Sequence, residues 1–242
     1  MQANPTIKHT TLINAILPRS GLAIDVVLVV SFALLTAIFA QIAIKFPGTP
    51  VPITGQTFAV LCAGAALGSK RGSLSMVVYM LLGMFLMPAF APASSFLGEK
   101  TIHFILPWSG TSGLIWNLAS GGYIAGFILG AYLVGRLAEL GWDRKTPAKY
   151  IFTKISLAMV IGNSSIYVFG LAWLAFFIAF QNINPELTYY DAIAGGNVLD
   201  KTLRAGLYPF IAGDALKLLL ACMVVPGAWD LVGRLRGERN DR

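Results

Sequence analysis

The chain has 242 residues, 56% of them hydrophobic and 12% charged, with a net charge of +7 and a mean hydropathy of +0.71. A soluble domain carries about twice that share of charge, so the composition excludes an ordinary soluble protein and points to a membrane protein. The basic excess does not mark a nucleic-acid binder, because Lys and Arg flank hydrophobic runs instead of lining one polar face.

In chain order, the stretch from Met1 to about Pro18 is polar and lacks the layout of a cleaved signal peptide. Six apolar segments follow. Val26 to Ile44 is nineteen residues without a charge, enough for a spanning helix. Thr54 to Leu67 is short and suits a tilted span packed between neighbours. Gly72 to Phe90 is uncharged, with Pro88 expected to break or kink its end. Gly113 to Gly135 is the fourth, Ile155 to Phe180 the fifth, and Ala205 to Val232 the sixth. The tight connection at Ser69 predicts that spans two and three form a helical hairpin. The expected fold is an all-α membrane protein, a six-transmembrane-helix bundle in one domain. Residues 1–20 form a polar N-terminal segment, 21–233 the bundle and 234–242 a basic tail.

Alternating spans from a cytoplasmic N-terminus place Lys8, Arg19, Lys70, Arg71, Arg136, Arg144, Lys145, Lys149, Arg234, Arg236, Arg239 and Arg242 inside. Only Lys45, Lys100, Lys201 and Arg204 then lie outside. This bias predicts that both termini are cytoplasmic. Two long outer connections, 91–112 and 181–204, are rich in Pro, Gly and polar residues, as loops that cover a binding site often are.

Small residues recur four apart at Ala33 and Ala37, at Gly64 and Gly68, and at Gly122, Gly126 and Gly130. Such spacing lets helices approach closely in lipid. Packing inside the bundle is expected for the glycines. For Ala33 and Ala37 an internal face and a partner-docking face are equally compatible with the pattern.

The candidate chemistry centres on Asp214 and Lys217. Ionised groups at membrane depth are expensive and mark function. Three residues apart on a helix, they share a face and offer an acceptor-only and a donor-only group. Either they read a small neutral ligand such as a cyclic urea, or they form an ion pair that only holds the helix. Thr54 is a reasonable cap for helix two, and Gln56 projects an amide from its first turn. Ser120-Gly121-Gly122-Tyr123 opens span four, where glycines either let backbone approach a carboxylate or only pack helices. Asn163 and Tyr167 share a face of span five, for bundle hydrogen bonds or for a pocket. Trp108, Trp116 and Trp173 suit interfacial anchors or a pocket wall. Cys62 and Cys222 read as buried hydrophobes, and His9 and His103 make no metal-ligand spacing. A phosphate loop is absent, and Ser164 and Ser165 have no buried base, so an ATPase and a serine protease are not expected. No cofactor is expected.

Several segments, taken in order, resemble the BioY family, the biotin-specific substrate-binding (S) components of energy-coupling factor (ECF) transporters. They are Pro50 to Thr57 with Leu61-Cys62-Ala63-Gly64, Gly68 to Gly72 leading into Tyr79, Ser120 to Phe127, Gly162-Asn163 with Tyr167 and Trp173-Leu174, and Pro209 to Asp214 with Lys217. The resemblance covers roughly Val26 to Trp229. It implies a biotin pocket near the outer face, with Asp214 and Lys217 on the ureido ring and Gln56 nearby. It implies that the Gly122 and Tyr123 region holds the valerate carboxylate. The ligand-binding candidates are then Asp214, Lys217, Gln56, Thr54, Gly122, Tyr123, Asn163 and Tyr167. Ala33 and Ala37 become the docking pattern for a transmembrane coupling protein, which two ABC-type ATPases energise in the cell membrane. Both outer loops are longer than the family's, with Ala91 to Ile102 and Gln181 to Lys201 as insertions. An S component for another vitamin and a self-sufficient carrier are the alternatives.

Overall fold

Apolar runs that lack water satisfy their backbone groups most simply as helices, and the chain folds as a helical bundle. The computed structural model describes residues 11–18, 21–94, 98–143 and 148–235. A short α1 (Leu12–Ile16) precedes α2 (Leu22–Gln41). Strands β1 (Ala43–Lys45) and β2 (Ile53–Thr54) lead to α3 (Gln56–Leu67), and α4 (Ser69–Leu81) follows at once. α4 continues into a π-helical turn, Leu82–Leu86, and stops at an extended Met87, the conformation that Pro88 imposes on its predecessor. After β3 (Thr101–His103) and a 3-10 turn (Ile115–Asn117) come α5 (Gly121–Glu139) and α6 (Ala148–Phe180). The hairpin β4 (Asn182–Asn184) and β5 (Leu187–Thr188) runs into α7 (Tyr189–Ala192) and α8 (Val198–Gly206). A 3-10 turn at Tyr208–Phe210 precedes α9 (Ile211–Leu235).

α5 packs against α3, α4 and α6 and forms the bundle's centre. Glycines on α5 and on α3 make the close approach possible. A Cβ on Gly126 would lie 2.9 Å from the Ile166 carbonyl oxygen, and one on Gly64 2.5 Å from that of Ala131. Tyr79, Met76, Ile166 and Leu174 are fully buried in the main core. The α3–α4 hairpin turns on Gly68 alone, whose φ of 85° favours glycine. Glu139 ties the end of α5 to this turn, accepting from the Ser69 amide at 2.7 Å and its hydroxyl at 2.8 Å. A carboxylate at a helix N-terminus is stabilised by the free amides and the helix dipole.

The structure corrects several expectations. The fold is mostly helical but not all-α, because β2–β1–β3 form an antiparallel sheet at one end, pairing Ala43 with both Thr54 and His103. The first span therefore ends at Gln41 rather than Ile44. The fourth helix starts at Gly121, not Gly113, since Gly121 packs directly on the Ile115 carbonyl and leaves no room for a continuous helix. The sixth span divides at Gly206 and Pro209, so that α9 begins at Ile211. Among the described residues, four stretches are long and apolar enough to cross a membrane: Leu22–Gln41, Gly121–Glu139, Lys154–Phe180 and Val198–Arg234, the last joining α8 to α9. α3 has 12 residues and reaches about 18 Å, well short of a hydrocarbon core of about 30 Å. Ala33 and Ala37 are buried in the main core on the face of α2 that meets α4, so in this conformation they are not a free docking face.

Candidate ligand site

The first turn of α9 places Asp214 at a helix N-terminus, where the dipole favours a carboxylate. The side chain is buried, and Lys217 lies one turn on with its Nζ 2.5 Å from Oδ1. That contact is an ion pair, and a carboxylate oxygen held by one ammonium still has a second lone pair for a further donor. Oδ2 is occupied: Tyr167 donates its hydroxyl at 2.5 Å and Asn163 its Nδ2 at 3.2 Å. Asn163 and Tyr167 stand four apart on α6, one helical turn, so one face of α6 grips the carboxylate. The Lys217 ammonium donates to the Thr54 carbonyl at 3.0 Å, crossing from α9 to the segment before α3.

Thr54 does not cap α3 as expected. Gly55 occupies the N-cap position with no side-chain bond, because Thr54 is held in β2 opposite Ala43. Its hydroxyl donates instead to Gln56 Oε1 at 2.7 Å. The Gln56 amide donates to the Tyr79 hydroxyl at 2.5 Å, and Tyr79 donates to the Ala89 carbonyl at 3.3 Å.

Tyr123 gives its hydroxyl to the Gly206 carbonyl at 2.9 Å. Its ring meets Tyr167 edge-on at 5.9 Å and stacks on Phe210 at 6.5 Å. Gly122 turns away: a Cβ there would collide with Trp173 and the Phe169 carbonyl of α6. The structure thus brings Asp214, Lys217, Thr54, Gln56, Tyr123 and Tyr167 to one pocket, with Asn163 holding Asp214. Gly122 belongs to the α5–α6 seam. Sequence reasoning did not single out Tyr79, Thr57 or Phe210 as site residues, and took Ser120 only as part of the stretch that opens span four. Thr57 Oγ1 is buried without a hydrogen-bond partner and lines the same pocket. An uncompensated buried hydroxyl is costly, and that cost is the signal of a site awaiting a polar group.

The pocket is nearly closed. The centres of water-sized molecules have about 40 Å³ to move in, against roughly 300 Å³ or more for a pocket that encloses a small molecule. Val51, Pro52 and Ala91 form part of its wall. A larger cleft of about 670 Å³ lies between α5 and α6, lined by Trp116, Ala125, Phe169, Trp173 and Phe176. Its lining is apolar throughout, so it offers nothing to orient a polar ligand. Trp116 and Trp173 wall this cleft, while Trp108 donates to the Pro88 carbonyl at 2.8 Å. Among the described residues no group of His, Cys, Asp and Glu is placed to hold a metal ion.

These features define a multi-pass membrane protein with a narrow pocket in its helical bundle, into which an ion pair and several hydroxyl groups project. The family follows from comparison: the BioY family model matches residues 8–234, and the chain belongs to that family. It is 31% identical to the biotin transporter BioY of Thermotoga maritima over 181 residues, 75% of this chain and 82% of that protein. It is 30% identical to the probable biotin transporter BioY of Pyrococcus horikoshii over 200 residues, 83% of this chain and 93% of that one. The crystal structure of the S-component for biotin from an ECF-type ABC transporter shares the fold, with a TM-score of 0.57 and 19% identity over 83% of this chain and 88% of that chain. BioY proteins are transporters, and this chain is not an enzyme.

Proposed function

We propose that the chain binds biotin as the substrate-specific component of an ECF-type transporter, with a separate coupling protein and ATPases supplying the energy. The observation that carries this is the buried Asp214 carboxylate, ion-paired with Lys217 in a pocket that Gln56 also lines. Its Oδ2 accepts from Tyr167 and Asn163, while Oδ1 faces Lys217 and has lone-pair capacity for a further donor. A ureido ring presents N–H donors flanking one carbonyl acceptor, the complement of that set. Tyr123, Phe127 and Phe210 supply apolar walls for the fused rings. The carboxylate of the valerate tail then falls to the N-terminal end of α5 at Ser120, with the Thr57 hydroxyl as a further partner. This reading gives the tail to Ser120 and Thr57 rather than to Gly122.

The same reading takes the bundle as six membrane passes in the cell membrane, with both termini cytoplasmic and the pocket near the outer face. The distribution of Lys and Arg supports it. Binding requires the wall at Val51, Pro52 and Ala91 to move, because the pocket has no room for a ligand of this size. Isothermal titration of biotin into the detergent-purified chain tests the proposal, with thiamin and riboflavin as controls. Selective one-to-one binding is the expected result. A folded, monodisperse sample that binds thiamin or riboflavin instead identifies an S component for another vitamin. One that binds none of the three refutes the site. Biotin uptake into liposomes by the chain alone would replace the coupled transporter with a self-sufficient carrier.

A further inference from the structure

The connection between α4 and α5 carries an apolar finger that the pocket does not use. Ile102 is 72% exposed, Phe104 66% and Leu106 78%. The residues between them, His103 and Ile105, are half-buried. Strand β3 ends at His103 and the chain bends over 105–107, so the three exposed side chains cluster at the end of the strand. Three large apolar side chains exposed within five residues are an unusual surface for contact with water alone.

We propose that residues 100–107 are a membrane-surface anchor, with Ile102, Phe104 and Leu106 seated among the lipids at the rim of the bundle. Position supports this occupant. In the sheet order β2–β1–β3 only β2 borders the pocket, and β3 lies two strand spacings away, about 10 Å. β1 starts two residues after the end of α2, whose Val27 and Leu34 are exposed on a helix long and apolar enough to cross a membrane. The finger therefore continues an apolar surface that already faces lipid. Charge supports it too. Lys45 pairs with Thr101 at the finger's base, and the exposed Lys100 lies over the Phe46 ring at 4.8 Å. The base stays net positive with Glu99 counted, which suits the phosphates of a lipid surface.

The mounting is rigid. Gln41, fully buried at the end of α2, donates to the Phe90 carbonyl at 3.2 Å and accepts from the Ser109 amide at 3.2 Å. It ties both feet of the loop to α2. Ala91, in the pocket wall, follows Phe90 directly. Lipid that holds the finger thus holds one wall of the pocket.

The inference rests on the membrane reading of α2, and one experiment separates the two. Single cysteines at Phe104→Cys, Val27→Cys and Glu186→Cys are made in a Cys62→Ala, Cys222→Ala background. Each is spin-labelled and reconstituted in phosphatidylethanolamine–phosphatidylglycerol vesicles. Power saturation with oxygen reports lipid, and a water-soluble nickel chelate reports water. The label at 104 is expected to match that at 27, reached by oxygen and shielded from nickel. If 104 matches 186 instead, the finger lies in water and the inference fails while the membrane reading stands. If 104 is shielded from both reagents, a protein partner or a second copy covers it, and the inference fails equally. A label at 27 that collides freely with nickel overturns the membrane reading itself. Ile102→Cys and Leu106→Cys read the same face if Phe104→Cys does not fold.

Discussion

Replacing Asp214 with Ala gives the most searching test of the site. The substitution removes the acceptor for the Tyr167 hydroxyl and the Asn163 amide, and it strips Lys217 of its counter-ion. Lys217 keeps only the Thr54 carbonyl among the contacts described. Truncating one partner of a buried, hydrogen-bonded charge pair costs about 2–5 kcal/mol. At about 1.4 kcal/mol per decade this weakens biotin binding by about 30-fold to a few thousand-fold. The same change destabilises the fold, so thermal stability in detergent is followed alongside titration. The double variant Asp214→Leu, Lys217→Met separates the two effects. Replacing a buried ion pair as a unit by apolar groups is often neutral or stabilising by about 1–4 kcal/mol. The double variant is therefore expected to recover the part of the stability lost with the stranded ammonium, though not the part lost at Tyr167 and Asn163, and still fail to bind. A folded Asp214→Ala protein whose affinity falls by less than about 10-fold, or about 1.4 kcal/mol, refutes the assignment.

Tyr167→Phe removes one hydrogen bond to the carboxylate while Asn163 keeps the other. Such a bond contributes about 1.5–3 kcal/mol, so titration should show affinity lower by about 10- to 100-fold. Gly64→Ala sets a Cβ 2.5 Å from the Ala131 carbonyl oxygen and 3.1 Å from Val134 Cβ. Overpacking at that seam should lower stability by about 1–3 kcal/mol, read as an earlier thermal transition. Lys201 is buried and donates to the carbonyls of Tyr190 at 2.7 Å and Ile193 at 2.6 Å. Lys201→Met leaves both acceptors without this donor, and amide exchange around residues 189–201 should quicken while the core helices keep their protection.

How much was legible follows from the range over which each feature is determined. The Asp214–Lys217 and Asn163–Tyr167 pairs depend only on helical spacing, and both fall together as expected. The α3–α4 turn was legible from Gly68-Ser69, and the end of α6 at Phe180 from the loss of apolar residues after it. The faces of α2 were not. Its buried Ala33 and Ala37 and its exposed Val27, Leu34 and Ile38 are all apolar. In a bilayer size separates core from lipid, not polarity, so hydropathy is silent on the direction of either face. Thr54 read as a helix cap because its pairing partner, Ala43, lies across an intervening loop. Tyr79 was missed as a site residue because its bond to Gln56 spans 23 positions and leaves no local pattern.

The contacts, placed in order, make one polar chain across the bundle. It runs from Asn163 and Tyr167 on α6 to Asp214 and Lys217 on α9, then to Thr54, to Gln56 on α3, to Tyr79 on α4, and ends at the Ala89 carbonyl. Thr54 is the link that lies in strand β2 rather than in a helix, and it serves twice, accepting from Lys217 and donating to Gln56. Under the proposed function, a ligand that takes donors from Lys217 and Gln56 competes with the Thr54 carbonyl for the first and with the Tyr79 hydroxyl for the second. Thr54 lies two residues after Pro52, which with Val51 forms part of the pocket wall. Occupancy of the site would therefore exchange the Lys217–Thr54 bond beside that wall for a bond to the ligand. That exchange gives a physical reason for a pocket that is nearly closed when empty to open for its ligand, since hydrogen-bonding groups released in a low-dielectric interior must find new partners.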